Sequence, residues 1–246
     1  MINNKKVVVV LPAYNASRTL KRTVEEIPDE IVDELILVDD ASDDDTYSKA
    51  RELGINHIIR HDRNRGYGAN QKSCYTKALD LKADIVIMLH PDYQYNPQLI
   101  APMAQIIGRD IYPVVLGSRI LGKGALDGGM PLYKYIANRL LTLIQNLLLN
   151  QKLSEYHTGY RAFHADVLKR IHFEANSDNF VFDNQMIAQI LFKGYSIAEV
   201  SCPTRYDKYS SSISFKRAVR YGLGVLHTSL QYRLQKCNLS SYDIFS

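Results

Sequence analysis

Residues 89–97 read LHPDYQYNP and follow the apolar run DIVIM. A short β-branched run of this kind is a buried strand, and a carboxylate just past such a strand is well placed to hold a divalent cation. The only acid in the stretch is Asp92, and His90 stands two residues before it. The site is therefore working, altered or defunct, and its surroundings have to decide which. A second stretch, VDDASDDDT, sets Asp39 and Asp40 just past another apolar run. Carboxylates there accept hydrogen bonds from ribose hydroxyls or a base N–H. Ser42 and Asp43 suit the cap of a following helix, whose positive end favours acids. NRGYGAN brings Gly66 and Gly68 ahead of a helix. It is not GxGxxG and does not follow the first strand, so it is no dinucleotide fingerprint. Glycines there still allow a backbone to approach a ligand closely.

Regular elements must position these residues. The first 120 residues alternate strand and helix patterns. KVVVVLP, ELILVDD, INHIIRH, DIVIMLH and YPVVLGSR read as strands. SRTLKRTVEEI, with Ser17 as its N-cap, SDDDTYSKAREL, GANQKSCYTKALDL and PQLIAPMAQII read as helices between them. This order predicts an α/β fold, a mainly parallel Rossmann-like sheet flanked by helices on both faces. Ligands of such sheets bind beyond the carboxyl ends of the strands. Those ends carry PAYN, DDAS, HDRNRGYG, HPDYQ and GSRI, polar segments converging on one edge.

The second half is less regular. GKGALDGG reads as a flexible loop. PLYKYIANRLLTLIQNLLL is a long helix whose apolar positions spread over much of its circumference, interrupted by Lys134, Asn138, Arg139, Gln145 and Asn146. Such a helix is buried, packs on a partner or lies in a membrane interface. FVFDNQMIAQILFKGY is a further helix ended by Gly194, and SIAEVSCP a further strand. SFKRAVRYGLGVLHTSLQYRLQK is helical with interruptions at Gly222 and Gly224.

A length of 246 residues with 46% hydrophobic and 23% charged side chains fits a folded chain with a real core. The net charge of +4 is uneven: residues 205–246 hold seven Lys/Arg against two Asp, a local +5. That asymmetry sets a main domain, 1–205, apart from a basic amphipathic extension, 206–246, which points to an anionic partner (a phosphate-bearing lipid, a membrane surface or nucleic acid) or is simply a solvated helix face. Three scattered cysteines without CxxC argue against zinc and against a disulfide framework, so a reducing cytosol is the expected setting. MINNKKVVVVLP runs directly into a motif and reads as a first strand, not a signal peptide. No apolar stretch is long enough to span a bilayer.

Taken in order, LPAYNA, VDDASDDDT, NRGYGAN, HPDYQ, GSR, TGYRAF and FVFDNQM resemble family 2 glycosyltransferases of GT-A fold, in particular the dolichyl- or polyprenyl-phosphate sugar transferase branch. The resemblance covers residues 7–215. It implies a nucleotide-sugar donor carrying UDP or GDP, a divalent metal (Mg²⁺ or Mn²⁺) and an inverting transfer. By position in that family, Pro12, Ala13, Tyr14 and Asn15 line the nucleotide pocket. Asp39 contacts base and ribose with Asp40 beside it, and Asn64, Arg65 and Gly66 lie at the nucleotide edge. Asp92 matches the second Asp of an Asp-x-Asp metal motif, and Gln94 a Gln that also reaches the metal. His90 replaces the first Asp; a neutral imidazole suits Mn²⁺ better than Mg²⁺. Arg119, Lys134, Arg139 and Arg161 are candidates for holding the acceptor.

The chemistry of that class is consistent with these residues. Breaking the anomeric bond leaves negative charge on a diphosphate, which a divalent cation stabilises. A lipid phosphate is already an anionic nucleophile, whereas a sugar hydroxyl needs a base; Asp183 is the candidate base for that alternative. Gln185 stands where related enzymes often carry an acid. SSSISF replaces a Gly-x-Ser-Lys type loop, keeping Ser212 and Ser214 but not the Lys. The expected partners are a nucleotide sugar and a lipid phosphate or glycan, at the cytoplasmic face of a membrane, with no nucleic acid and an oligomer possible. A nucleotide-sugar-binding protein with little turnover is the alternative outside catalysis. A nucleotidyltransferase is disfavoured because LPAYNASR has no glycine.

Overall fold

The computed structural model describes residues 1–204 and 215–245. Its strands are β1 (Val7–Ala13), β2 (Glu34–Asp39), β3 (His57–Arg60), β4 (Ile85–Met88), β5 (Val114–Ser118), β6 (Arg161–His164) and β7 (Ile197–Ser201). The helices are α1 (Leu20–Glu25), α2 (Thr46–Glu52), α3 (Tyr67–Asp80), α4 (Ile100–Gly108), α5 (Gly124–Asp127), α6 (Leu132–Leu149), α7 (Ala165–Arg170), α8 (Phe182–Phe192) and α9 (Phe215–Lys236). The strands form one sheet in the order β3-β2-β1-β4-β6-β5-β7. β1 to β4 are parallel, β6 runs antiparallel to β4 and β5, and β7 is parallel to β5. The mainly parallel sheet expected from the sequence is present. β6 lies inside HTGYRAF without a strand signal of its own, because Arg161 and His164 bracket only two apolar residues and no apolar run marks it.

β1 is buried along its whole length, so alternate residues feed two cores. Val7, Val9 and Leu11 pack with Leu20 of α1 and Ile100 and Met103 of α4. Val8 and Val10 pack with Cys74 and Tyr75 of α3 and Phe182 and Met186 of α8. Burial on both faces explains why this strand reads VVVV rather than alternating apolar and polar.

The chain leaves β1 toward β2 and β3 on one side and returns to β4 on the other, which opens a crevice at their carboxyl ends. Three residues directly beyond these strands have left-handed backbone: Asn15 at φ 52°, Ala41 at 56° and Tyr93 at 59°. Ala and Tyr seldom adopt this region. Strain of this kind gathers where loops are held for a ligand.

Several local expectations need correction. Ser17 does not cap α1, which begins at Leu20 after Thr19. Ser42 and Asp43 do not cap α2; Asp44 accepts the Thr46 N–H at 3.0 Å instead. The glycine-rich loop contains α5, and a Cβ on Gly128 would meet the Thr204 carbonyl, so that glycine marks tight packing rather than flexibility. α9 runs unbroken through Gly222 and Gly224, because a Cβ on Gly224 would lie 3.1 Å from Val181 and the missing side chain lets the helix seat against the start of α8. The C-terminal segment shares the main core: Tyr232 and Phe245 pack around Phe192. The boundary at 205/206, together with Ser212 and Ser214, falls outside the described residues.

Candidate active site

The carboxyl ends of β1 and β2 form the first wall. Asn70 of α3 donates to the carbonyls of Ala13 (3.2 Å) and Val38 (3.1 Å), tying the two strand ends together. Pro12 and Ala13 lie buried within β1, while Tyr14 is half exposed and offers an open ring face. Asn15 supports its neighbours: its N–H meets Ser42 Oγ at 2.8 Å and its side-chain oxygen accepts from Asp43 N at 3.0 Å.

Asp39 is fully buried. Its Oδ1 accepts from the backbone and hydroxyl of Ser42. Oδ2 lies 3.2 Å from Arg60 Nε, yet no N–H points at it, so a buried carboxylate oxygen keeps unused acceptor capacity. A buried carboxylate oxygen that is ion-paired yet accepts no hydrogen bond is uncommon in a folded interior.

Asp40 does something different from what was expected. It accepts from His61 Nδ1 (2.7 Å), Arg65 N (2.8 Å) and Gly66 N (2.9 Å). These bonds fill its carboxylate, so Asp40 fastens the loop carrying Asn64 and Arg65, both exposed at the cleft edge, and is not itself open to a nucleotide. The glycines of that loop are explained the same way. A Cβ on Gly66 would lie 2.7 Å from the Asp178 carbonyl, and one on Gly68 2.3 Å from the Ser177 carbonyl. The close approach seen there is to the chain's own backbone.

At the end of β4, Asp92 is half-buried and its Oδ1 accepts the Gln94 N–H at 3.1 Å. Gln94 lines a small cleft with Arg22, Glu26 and Tyr93. His90 belongs to a largely buried network. Its ring stacks on Tyr67 with centroids 5.4 Å apart and presses on Gly159, where a Cβ would come within 2.6 Å. His90 Nε2 lies 3.0 Å from the Tyr67 hydroxyl, and that hydroxyl donates to Asp183 Oδ2 at 2.6 Å. Burial, with the Asp183 charge beside it, pushes the Tyr67 hydroxyl well above its ordinary pKa, so it keeps its proton. A hydroxyl has one proton. With that proton directed at Asp183, Tyr67 accepts from His90 Nε2–H, so this network uses the Nε2 side of the ring.

Asp183 and Arg161 therefore depart from their expected roles. Asp183 is 6% exposed, and its second oxygen accepts from Gln71 at 3.1 Å. Its carboxylate is an anchor for Tyr67, not an open base. Arg161 is 1% exposed and donates to the carbonyls of Asp183 (2.7 Å), Thr158 (2.9 Å) and Tyr156 (3.2 Å). A guanidinium enclosed in this way organises the segment from 156 to 161 and Asp183, and does not face an acceptor. Gln185, two residues on, points elsewhere and accepts from Ser177 N at 2.7 Å.

Arg119, just past β5, is bound to the fully buried Glu155: Nε donates at 2.9 Å, the backbone N–H at 2.9 Å, and Nη2 adds another bond. Asn138 of α6 also donates to Glu155, at 2.8 Å. Burial alone would raise the Glu155 carboxyl, but the Arg119 charge and these donors outweigh it and the net shift is downward. Lys134, at the start of α6, is half-buried and has no ion-pair partner among the described residues. Arg139 is exposed and donates to the Ser154 carbonyl at 3.2 Å.

Sequence reasoning missed Tyr67, Gln71, His61 and Glu155. Tyr67 sits inside NRGYGAN, so its motif was seen without its role. Glu155 gave no local signal, being a single acid 36 residues from the arginine it holds.

The arrangement is a cleft at the carboxyl edge of the sheet, with a buried acceptor at β2, a carboxylate at β4 and cations on the β5 side. Comparison with known proteins supplies the family. The model for glycosyl transferase family 2 matches residues 8–172. MJ1222 of Methanocaldococcus jannaschii, itself uncharacterized, is 30% identical over 86% of this chain and 86% of its own. The UDP-N-acetylglucosamine–dolichyl-phosphate N-acetylglucosaminyltransferase of Methanococcus voltae is 29% identical over 84% of this chain and 88% of its own. Among solved structures, the glucosyl-3-phosphoglycerate synthase of Mycobacterium tuberculosis with UDP superposes with a TM-score of 0.71 at 17% identity, covering 97% of this chain and 82% of that one. The same synthase has been solved with Mn²⁺, UDP and phosphoglyceric acid (TM-score 0.69). The chain belongs to glycosyl transferase family 2, and it is a glycosyltransferase.

Proposed function

We propose that the protein moves a sugar, with inversion, from a UDP- or GDP-sugar to a polyprenyl phosphate at the cytoplasmic face of a membrane. The observation that carries this is the enclosure of Asp183. A sugar hydroxyl needs a base within reach, and the candidate carboxylate is spent on Tyr67 and Gln71. A phosphate acceptor arrives already anionic and needs only cations to place it, a role open to Lys134 at the start of α6. The dolichyl-phosphate specificity in the name of the M. voltae relative supports the same reading.

Asp39 holds the nucleoside through its unused oxygen, with Tyr14 as an apolar face beside it. Asp40 keeps the 64–66 loop in place at the nucleotide edge. Asp92 is the carboxylate for a divalent cation, with His90 and Gln94 on the same loop. Among the described residues no group of three or more His, Cys, Asp or Glu side chains is gathered to hold a metal. A mixed set of one carboxylate, one imidazole and one amide suits an open site whose remaining positions come from a diphosphate. Bound there, Mg²⁺ or Mn²⁺ would offset the charge that develops on the leaving diphosphate. The Tyr67–Asp183 pair orients the His90 ring through Nε2, and a neutral imidazole binding through Nδ1 would suit Mn²⁺ better than Mg²⁺.

Transfer from radiolabelled nucleotide sugars to a polyprenyl phosphate, with Mn²⁺ and with Mg²⁺, tests the proposal. The expected outcome is lipid-linked product with the wild type and a loss of at least about a hundredfold with Asp92→Ala. Product on free saccharide hydroxyls alone would sink the acceptor assignment. Donor binding without turnover in any combination would favour a binding protein.

A further inference from the structure

α6 is built inside out. Its residues turned toward the protein include Asn138, Thr142 and Gln145. There Asn138 donates to Glu155 and Gln145 donates to Asn184, at 2.8 Å each, while the Gln145 side-chain oxygen is buried without a hydrogen bond. Its outward side is Leu132, Ile136, Leu140, Leu143 and Leu147, between 57% and 69% exposed. A helix at a water-facing surface shows the reverse pattern. α9 lies beside it, with Gly222 against Leu141. It exposes Val219, Leu223 and Leu230 by 49%, 63% and 49%. Their spacing of four and seven residues puts them on one face. Apolar exposure on this scale marks an interaction surface.

Charge identifies the partner. Over their 18 and 22 residues α6 and α9 contain no Asp or Glu, while α6 carries Lys134 and Arg139 and α9 carries Arg217, Arg220, Arg233 and Lys236 among its cations. A symmetric contact of this face with a second copy would set cation against cation with no carboxylate between them. An anionic bilayer surface meets both features at once, hydrocarbon for the leucines and headgroup phosphate for the cations. We infer that the paired outward faces of α6 and α9 are a membrane-docking surface, with the leucine ridge of α6 as its insertion element. This goes beyond the basic C-terminal segment: the deeper anchor is a helix in the middle of the chain. α6 is the next long helix after β5, with only α5 and its flanking loops between them, so docking would bring Lys134 at its start toward headgroup level. That last point alone rests on the lipid-borne acceptor of the proposed reaction.

Flotation of the full chain with vesicles, without donor or acceptor, tests this separately from transfer. Wild type should float with phosphatidylcholine vesicles containing about one-third phosphatidylglycerol and far less with phosphatidylcholine alone. The triple variant Leu140→Gln/Leu143→Gln/Leu147→Gln should lose binding, roughly tenfold for each leucine. The chain has no Trp, so Leu143→Trp supplies a single reporter whose emission should shift to the blue on adding anionic vesicles. Glu52→Trp, on the exposed side of α2, should not shift. No flotation of the wild type, equal flotation of the triple variant, or unshifted emission from the Leu143→Trp variant would overturn the inference. So would a lipid-free dimer that the triple variant dissociates. If the triple variant fails to fold, the Leu143→Trp reporter decides alone. An enzyme that used a soluble acceptor yet bound vesicles would end the proposed reaction and leave the docking surface standing.

Discussion

The stability of the fold should fall between neutral and mildly acid pH because of one histidine. His157 lies in the segment that supports Arg119, whose Nη2 donates to the His157 carbonyl at 2.9 Å. The Tyr221 hydroxyl accepts from Asn184 at 2.5 Å and shares a hydrogen bond with His157 Nδ1 at 2.8 Å. Nε2 is buried without a partner. Protonation would add a charge in a buried place and leave an N–H donor at Nε2 with nothing to bond. Burial, the largest cause, lowers the imidazole pKa from 6.5 to about 4; Glu155 pulls the other way, and the Arg119 and Arg161 charges add to the lowering. Above about pH 7 the ring is neutral in both folded and unfolded chains and contributes nothing. As pH falls the unfolded chain takes up the proton near its ordinary value and the folded chain does not, so stability declines. Between about pH 7 and about pH 4.5 the loss from this group is about 2 kcal/mol. Glu155, held below its ordinary value of 4.5, contributes stability that is present above that value and is lost only at lower pH, so it stays out of this window. Urea unfolding of the wild type and of His157→Asn, which keeps an acceptor for Tyr221, measures the difference. The variant should be flatter by about 2 kcal/mol across the same pH range. Parallel curves would refute the assignment of a buried neutral imidazole.

Two further outcomes follow from the same network and from the loop it supports. Tyr67→Phe removes the donor to Asp183 and the acceptor for His90; it should lower stability by about 2 kcal/mol in urea unfolding and raise the Mn²⁺ concentration for half-maximal transfer, and an unchanged metal requirement would show that His90 needs no such support. Gly68→Ala places a Cβ 2.3 Å from the Ser177 carbonyl and 2.9 Å from Phe182 Cβ, so it should cost about 1–3 kcal/mol by overpacking, read as a lowered urea midpoint, and a neutral effect would mean that the 177–178 segment yields easily.

Much of the scaffold was legible along the chain because its signals are local. Apolar runs such as VVVVL and IVIM mark strands, and their polar ends mark the edge where a crevice forms. The family motifs were also legible, since each is a short run of adjacent residues. Errors arose where a residue's partner is remote. Asp40 and Asp39 are neighbours in sequence, yet one fastens a loop 25 residues away and the other keeps an empty acceptor. Arg119 and Arg161 look equally suited to an anion; one is held by Glu155, and the other is sealed among carbonyls.

Composition and order by themselves determined that this chain is an α/β protein with a carboxylate at β4 and a surplus of cations near its end; the nucleotide-sugar reading comes from the resemblance of its motifs to a family. Tertiary structure decided which of those charges remain usable, because a charge is spent or available according to what the fold packs against it. The same holds for α6. Its apolar residues wind around much of the helix, and only the packing of Asn138, Thr142 and Gln145 against the body shows that its leucines face outward. Side-chain type sets what a residue can do, and burial and hydrogen bonding set which of those things it is left free to do.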